Sequence, residues 1–454
     1  MSLVEVPPPG LPPAEDDSFR FEGSPNSDGH AFHRHLCDTR RNAGAYAAAL
    51  TRLHAVTRAT YDAWSVEERA AFDGERERIL ATRAAFNTAS LTRVVELVRE
   101  NVRIADVRDA SNAEAVGVIG APGTGKSTAM LESMLEVAST YFDRHWGSAW
   151  IDQDPSSLRW WRRNEFGDRI EAQYVPVLPV AMPRNPTPRT FAQACLLSLA
   201  RYIGDDALGR RNIREFDYTQ LLIAHLAKHA VRVVYIDECH FITNDRMGLR
   251  VVDQFKSLMN DTRCVLVLAG LDDGSNPGFQ FLTGVDMDGT KAQVKERLCY
   301  VQFGPFAGTG FDPEPGSASY EEWRQVVATM ATRVVLLDQD AGWWREHETL
   351  DYLWKRTAGV FEALASLMLR AGRAAMFGPE CLSIGFLERI EVSQAADARA
   401  ASLHQLGPRV KRAGRKGRTA RRSKNADARG RKRSEVLLSA AVASGVVQGA
   451  TEDD

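Results

Sequence analysis

The stretch Gly120, Ala121, Pro122, Gly123, Thr124, Gly125, Lys126, Ser127, Thr128 follows directly on the apolar run 115–119. Nothing else in the chain limits its fold as tightly. Gly120, Gly125, Lys126 and Ser127 satisfy the pattern G-x-x-x-x-G-K-[ST], with strand-like sequence before it and helical sequence after it. A phosphate chain has to lie against bare backbone N–H groups, and only glycine lets the chain wrap that closely. The helix starting at the lysine turns its partial positive end to the same place. Lys126 adds a point charge, and the Ser127 hydroxyl is a ligand for Mg2+. Residues 120 to 128 are therefore the candidate loop for ATP, with Mg2+ as cofactor.

Such a loop needs an acidic partner at the end of a different apolar strand. The run VRVVYIDECHFI, residues 231–242, supplies it. Asp237 is placed to hold Mg2+ through water, and Glu238 to act as general base on the attacking water. No clear guanine-reading N-K-x-D is present, which favours ATP over GTP. His240 completes a DECH string like that of DExH-box helicases. Those enzymes need a second nucleotide-binding domain, and the mostly helical remainder leaves no room for one.

Apolar strand runs alternate with helices from 111 to 305, which predicts an α/β domain with a parallel sheet covered on both faces. The expected strands include AVGVIG, SAWID, YVPVLPVAM, VRVVYID and CVLVLAGL. Residues 1–35, rich in Pro, Gly, Ser and Asp, read as disordered. Residues 36–110 read as an N-terminal helical region, with a capping box expected at Ser65 to Glu68. After the Pro/Gly-rich segment 305–319, residues 320–404 read as helices only, and 405–454 as a basic, largely disordered tail ending in a possible short helix. No secretory signal or membrane span is expected, and six scattered cysteines without a CxxC pair suit a reducing cytoplasm.

The loop GAPGTGKST, the strand and acidic pair VVYIDECHFI, the helix RVVDQFKSLMNDTRC and the strand VLVLAG together resemble the TniB/TnsC family of transposition regulators. That resemblance covers about residues 90–370. It implies an AAA+ P-loop NTPase: a nucleotide-binding α/β domain followed by a small all-helical lid. It implies an ATPase whose subunits form rings or filaments on duplex DNA and link a target selector to the transposase. It further implies a water-orienting residue after VLVLAG, where Leu271, Asp272 and Asp273 stand instead of Thr or Asn. A trans-acting arginine is expected before the last strand, and Arg297 fills that place, with Lys291 and Lys295 nearby. No arginine follows Gly359, where a lid sensor is sought; Arg356 and Arg370 are the fallback positions.

The net charge of −2 conceals an asymmetry. Between Arg409 and Arg433 lie thirteen Lys/Arg and one Asp, which leaves 44 basic and 58 acidic residues elsewhere. A basic tail on a mildly acidic body suggests a polyanion partner. SLRWWRRNEFGDR, residues 157–169, is a second candidate DNA contact. Arg246, Arg250 and Lys256, on the helix after the acidic pair, are a third. The other reading is a STAND-like nucleotide switch in signalling or defence whose assembly ignores DNA; the apolar Leu271 favours it.

Overall fold

Seven strands and twelve helices make up the described part of a computed structural model, which covers residues 29–82, 88–107, 115–153, 157–163, 168–205, 208, 215–242, 246–271, 298–304 and 315–392. Five strands form one parallel sheet: β1 Ala115–Gly120, β4 Val177–Ala181, β5 Val233–Asp237, β6 Val265–Leu271 and β7 Leu298–Phe303. Their order is β4-β5-β6-β1-β7. Every residue of β1 and β5 is buried, as expected for inner strands covered on both faces. The register sets Gly120 beside Leu271 and Phe303, so the end of β1 is flanked by the ends of its two neighbours.

Helices flank this sheet. α5 (Lys126–Trp146) leaves the end of β1, while α6 (Pro188–Ile203), α7 (Glu215–Lys228) and α8 (Arg246–Thr262) pack on one another. α6 starts from a Thr187–Thr190 capping box with Pro188 in the first turn, a position that needs no N–H. In α8 the buried Val251, Val252, Phe255, Leu258 and Met259 recur at helical spacing and face the core.

The expected SAWID strand is corrected. Residues Gly147–Asp152 form a 3-10 helix, because Trp150 turns inward. Its ring is fully buried and stacked on Phe142 at 5.1 Å, and its Nε1 donates to Asp143 Oδ1 at 2.7 Å. The hairpin β2 (Arg159–Arg163) and β3 (Arg169–Gln173) forms a separate antiparallel pair where no strand was expected.

The N-terminal helices do not form a body of their own. α1 (Gly29–His54) begins inside the stretch read as disordered, and residues 29–35 are corrected to helix. Phe32 and Leu36 explain this: both are buried in the core around the sheet. Farther along the same helix, Ala49 and Leu53 join Phe72 and Val335 in a second core. α2 (Arg58–Asp62) and α3 (Val66–Ala81) follow, the latter with the Ser65–Glu68 capping box in place. α4 (Ala89–Val107) instead packs on β1, β6 and β7 and belongs to the layers around the sheet.

The C-terminal bundle comprises α9 (Ala318–Ala331), α10 (His347–Thr357), α11 (Phe361–Met376) and α12 (Ile384–Leu387). It is joined to α3 by a buried ionic cluster. Arg76 is fully buried and grips Glu380 with two bonds, at 2.8 and 2.9 Å, while also meeting Asp73. No helix among the described residues is long and apolar enough to cross a membrane. The segments 1–28 and 393–454, including the expected tail and its short helix, lie outside the described residues, as do 272–297 and 305–314.

Truncating one partner of a buried pair strands the other charge. Arg76→Ala should therefore lower the unfolding free energy by about 3–5 kcal/mol in denaturant titrations. The apolar pair Arg76→Met with Glu380→Leu should recover most of that loss, because neither charge then remains buried.

Candidate functional site

The candidate loop begins where β1 runs out at the carboxyl edge of the sheet, the edge at which open α/β sheets bind ligands. Gly120 has to be glycine. A Cβ there would lie 1.9 Å from the Phe303 carbonyl oxygen of β7. Gly123 and Gly125 take left-handed φ of 74° and 96°. The turn through Gly125 starts α5 with no side chain capping its first N–H groups. Free N–H groups at a helix start are an anion site when other charges converge there.

Those charges do converge. Lys126 is 8% exposed, and its ammonium donates to the carbonyls of Gly120 at 2.8 Å and Ala121 at 2.7 Å. Thr124 Oγ1 donates to the same Ala121 carbonyl. Burial lowers the Lys126 pKa, opposed by the negative charges of Asp237 and Glu238. Ser127 Oγ stands 3.4 Å from Asp237 Oδ2, although 110 residues separate them. Thr128 lies within the first turn of α5, and Pro122 is exposed on the loop.

Asp237 ends β5 and is 7% exposed, and burial pushes its carboxyl up to about 6. Glu238 follows in the left-handed region at φ 62°, an uncommon conformation for a side-chain-bearing residue that marks functional sites. It lets the Glu238 N–H fold back onto Asp237 Oδ1 at 2.7 Å. The Glu238 carboxylate meets His240 Nε2 at 3.1 Å, a contact the sequence reading did not foresee. The donor set fits a triphosphate with Mg2+: a glycine-lined turn, an uncapped helix start, a buried ammonium and a hydroxyl–carboxylate pair.

Leu271 ends β6 beside Gly120 and brings an apolar side chain to the position where a polar one was sought. Asp272, Asp273, Lys291, Lys295 and Arg297 lie outside the described residues. Arg356 and Arg370 are turned elsewhere, with bonds to the carbonyls of Ile390 and Glu391. At the loop the C-terminal bundle offers Glu362 instead. Its N–H donates to the Gly123 carbonyl at 3.1 Å, and a Cβ on Gly123 would fall 2.5 Å from its Oε2. The first turn of α11 thus covers the loop with a carboxylate. The only sequence clue was position, three residues past Gly359.

Residues 108–274 match the family model described as an AAA domain. No curated protein matches the chain. Among solved structures, the Aeropyrum pernix ORC2 protein in its ADPNP–ADP complexes aligns at 13% identity over 73% of this chain and 74% of that one, with a TM-score of 0.43. The Aeropyrum pernix ORC1 protein in complex with DNA aligns at 15% identity over 73% and 69%, with a TM-score of 0.38. Overlays this loose carry no argument about activity. The domain match and the five-stranded parallel sheet flanked by helices establish the AAA+ P-loop fold.

Two outcomes follow from this geometry. The folded chain keeps a proton on Asp237 between about pH 4 and 6 that the unfolded chain releases, so this residue makes stability fall as pH rises through that window. Asp237→Asn should flatten that part of the profile and raise stability at neutral pH by a value on the order of 2–3 kcal/mol in ligand-free denaturant titrations. It should also abolish any added stabilisation by Mg2+ with nucleotide. Glu362→Gln should tighten ATP binding about two- to fivefold in calorimetry, because it removes one partly screened negative charge from the loop.

Proposed function

We propose, with the AAA domain over residues 108–274 as premise, that this chain is an ATPase that assembles on duplex DNA and regulates transposition by linking a target selector to the transposase. The observation that carries the ATPase part is the approach of Ser127 and Asp237 beside the buried Lys126. The transposition part rests on the TniB/TnsC resemblance of the loop, the acidic pair and the strand and helix after it.

The roles divide as follows. The backbone N–H groups of the loop from Gly120 to Gly125, Pro122 excepted, and of the start of α5 bind the phosphates. Lys126 exchanges its two loop carbonyls for phosphate oxygens. Ser127 and Asp237 would hold Mg2+, which when bound would neutralise negative charge on the phosphates. Glu238 takes the proton of the attacking water, and its contact with His240 orients the carboxylate. Arg297 is the arginine that reaches the neighbouring subunit's nucleotide, which makes hydrolysis depend on the homo-oligomer. The exposed Arg246 and Arg250 share a face of α8 and carry charge suited to phosphate contact, and Lys256 pairs with Asp253 on the same helix.

A second reading, a nucleotide switch that assembles without DNA, is favoured by Leu271 beside Gly120, since no polar group at that position orients water. Electron microscopy with duplex DNA and a non-hydrolysable ATP analogue separates the two. ATP-dependent rings or filaments on DNA support the first, and assembly indifferent to DNA supports the second. Lys126→Ala should abolish nucleotide binding. Glu238→Gln should retain it, slow turnover by about 100-fold or more, and leave the assembly trapped on DNA. Parental turnover by Glu238→Gln would remove the general-base assignment.

A further inference from the structure

Two consecutive left-handed residues aim the start of α11. Ala358 ends α10 at φ 55°, and Gly359 follows at φ 63°. Both are buried, and together they reverse the chain within a turn. Val360 then becomes the N-cap of α11, with no side chain to satisfy the first N–H groups. One of those groups finds its partner on the phosphate loop, where the Glu362 N–H meets the Gly123 carbonyl at 3.1 Å. The side chains follow the backbone. A Cβ on Gly123 would lie 3.1 Å from Glu362 Cβ and 3.3 Å from Val360 Cγ1. Leu364, Leu367 and Met368 are buried behind this turn, so α11 holds it there through its own packing.

The Glu362 carboxylate is exposed, and among the described residues it meets no cation and accepts no hydrogen bond. An acid in the first turn of an uncapped helix has an ordinary use, since it complements the helix dipole. Glu348 has that use in α10, which also lacks a side-chain cap. Glu362 differs in being fixed over a glycine of the phosphate loop. Lys126 already answers to the charges of Asp237 and Glu238, so a third carboxylate at the loop goes unmatched. Leu271, on the flanking strand β6, adds no charge to offset it. An unmatched carboxylate opposes any phosphate chain, and more strongly the one that carries more charge. With Mg2+ bound to either, a triphosphate brings one negative charge more than a diphosphate. Specificity is a difference of two affinities, and a repulsive group supplies it as well as an attractive one.

We propose that Glu362 is a specificity residue of the loop, whose carboxylate, fixed over Gly123, tilts the preference of the subunit from nucleoside triphosphate toward diphosphate. The inference rests on the proposed binding of nucleotide at this loop and adds which ligand the loop is biased to keep.

The test is calorimetric titration of the full chain with Mg2+ and either ADP or a non-hydrolysable ATP analogue, which gives the ratio of the two affinities. Glu362→Gln should move that ratio toward the triphosphate by about two- to threefold. Glu362→Arg, which reverses the charge, should move it by about fivefold or more. Glu348→Gln removes an exposed acid of the same kind from the far end of α10, about 16 Å along that helix, and should leave the ratio parental. Raising salt from about 50 to 500 mM should narrow the gap between the parent and Glu362→Gln, because exposed charges are screened. Without nucleotide, Glu362→Gln and Glu348→Gln should each lower the melting temperature by no more than about 3 °C, the loss expected of a helix-start charge alone. An unchanged ratio in Glu362→Gln overturns the assignment, and so does an equal gain for both nucleotides. A ratio shift indifferent to salt overturns it as well, since the carboxylate then acts through packing. A parent that binds neither nucleotide overturns the ATPase reading itself.

Discussion

Ser127 and Asp237 belong to strand–loop units that are not neighbours in the sheet, since β6 lies between β1 and β5. Their 3.4 Å approach depends on three parallel strands ending at one level, and on Gly120 letting β1 finish against the Phe303 carbonyl. Asp237 is then carried to a depth where its charge is disfavoured and needs cationic company. The same depth depresses the Lys126 ammonium. A site that keeps an acid and a base both short of solvent is strained toward a ligand that satisfies both, and a phosphate chain with a divalent cation does so.

Much of this was legible in the residues. The Gly–Lys–Ser loop could be read because no other residue types do its work, and the acidic pair because it closes an apolar strand. The Ser65 capping box was equally readable, since it is a local arrangement of two side chains. What escaped were features decided at long range. SAWID has a strand's composition, yet the inward pull on Trp150 winds it into a 3-10 turn. The hairpin escaped because an Arg- and Trp-rich strand shows no apolar alternation. Residues 29–35 resemble a loop until Phe32 finds the sheet's core.

Glu362 is the most instructive miss. The positive charges on either side of Gly359 are Arg356 and Arg370, and both are held by carbonyls near the end of the described chain. The group delivered to the loop has the opposite sign. Leu271 thus brings an apolar side chain to one side of the loop and Glu362 a carboxylate to the other.

α1 has a consequence of its own. It is 26 residues long, about 39 Å, with its first half sunk in the sheet's core and its second half in the core that α3 and Val335 share. A stiff rod seated at both ends cannot follow a gradual rotation. Ala49 and Leu53 tie its second half to α3 and to Val335 at the edge of the bundle, so any shift of the bundle relative to the sheet has to repack that close-packed seat.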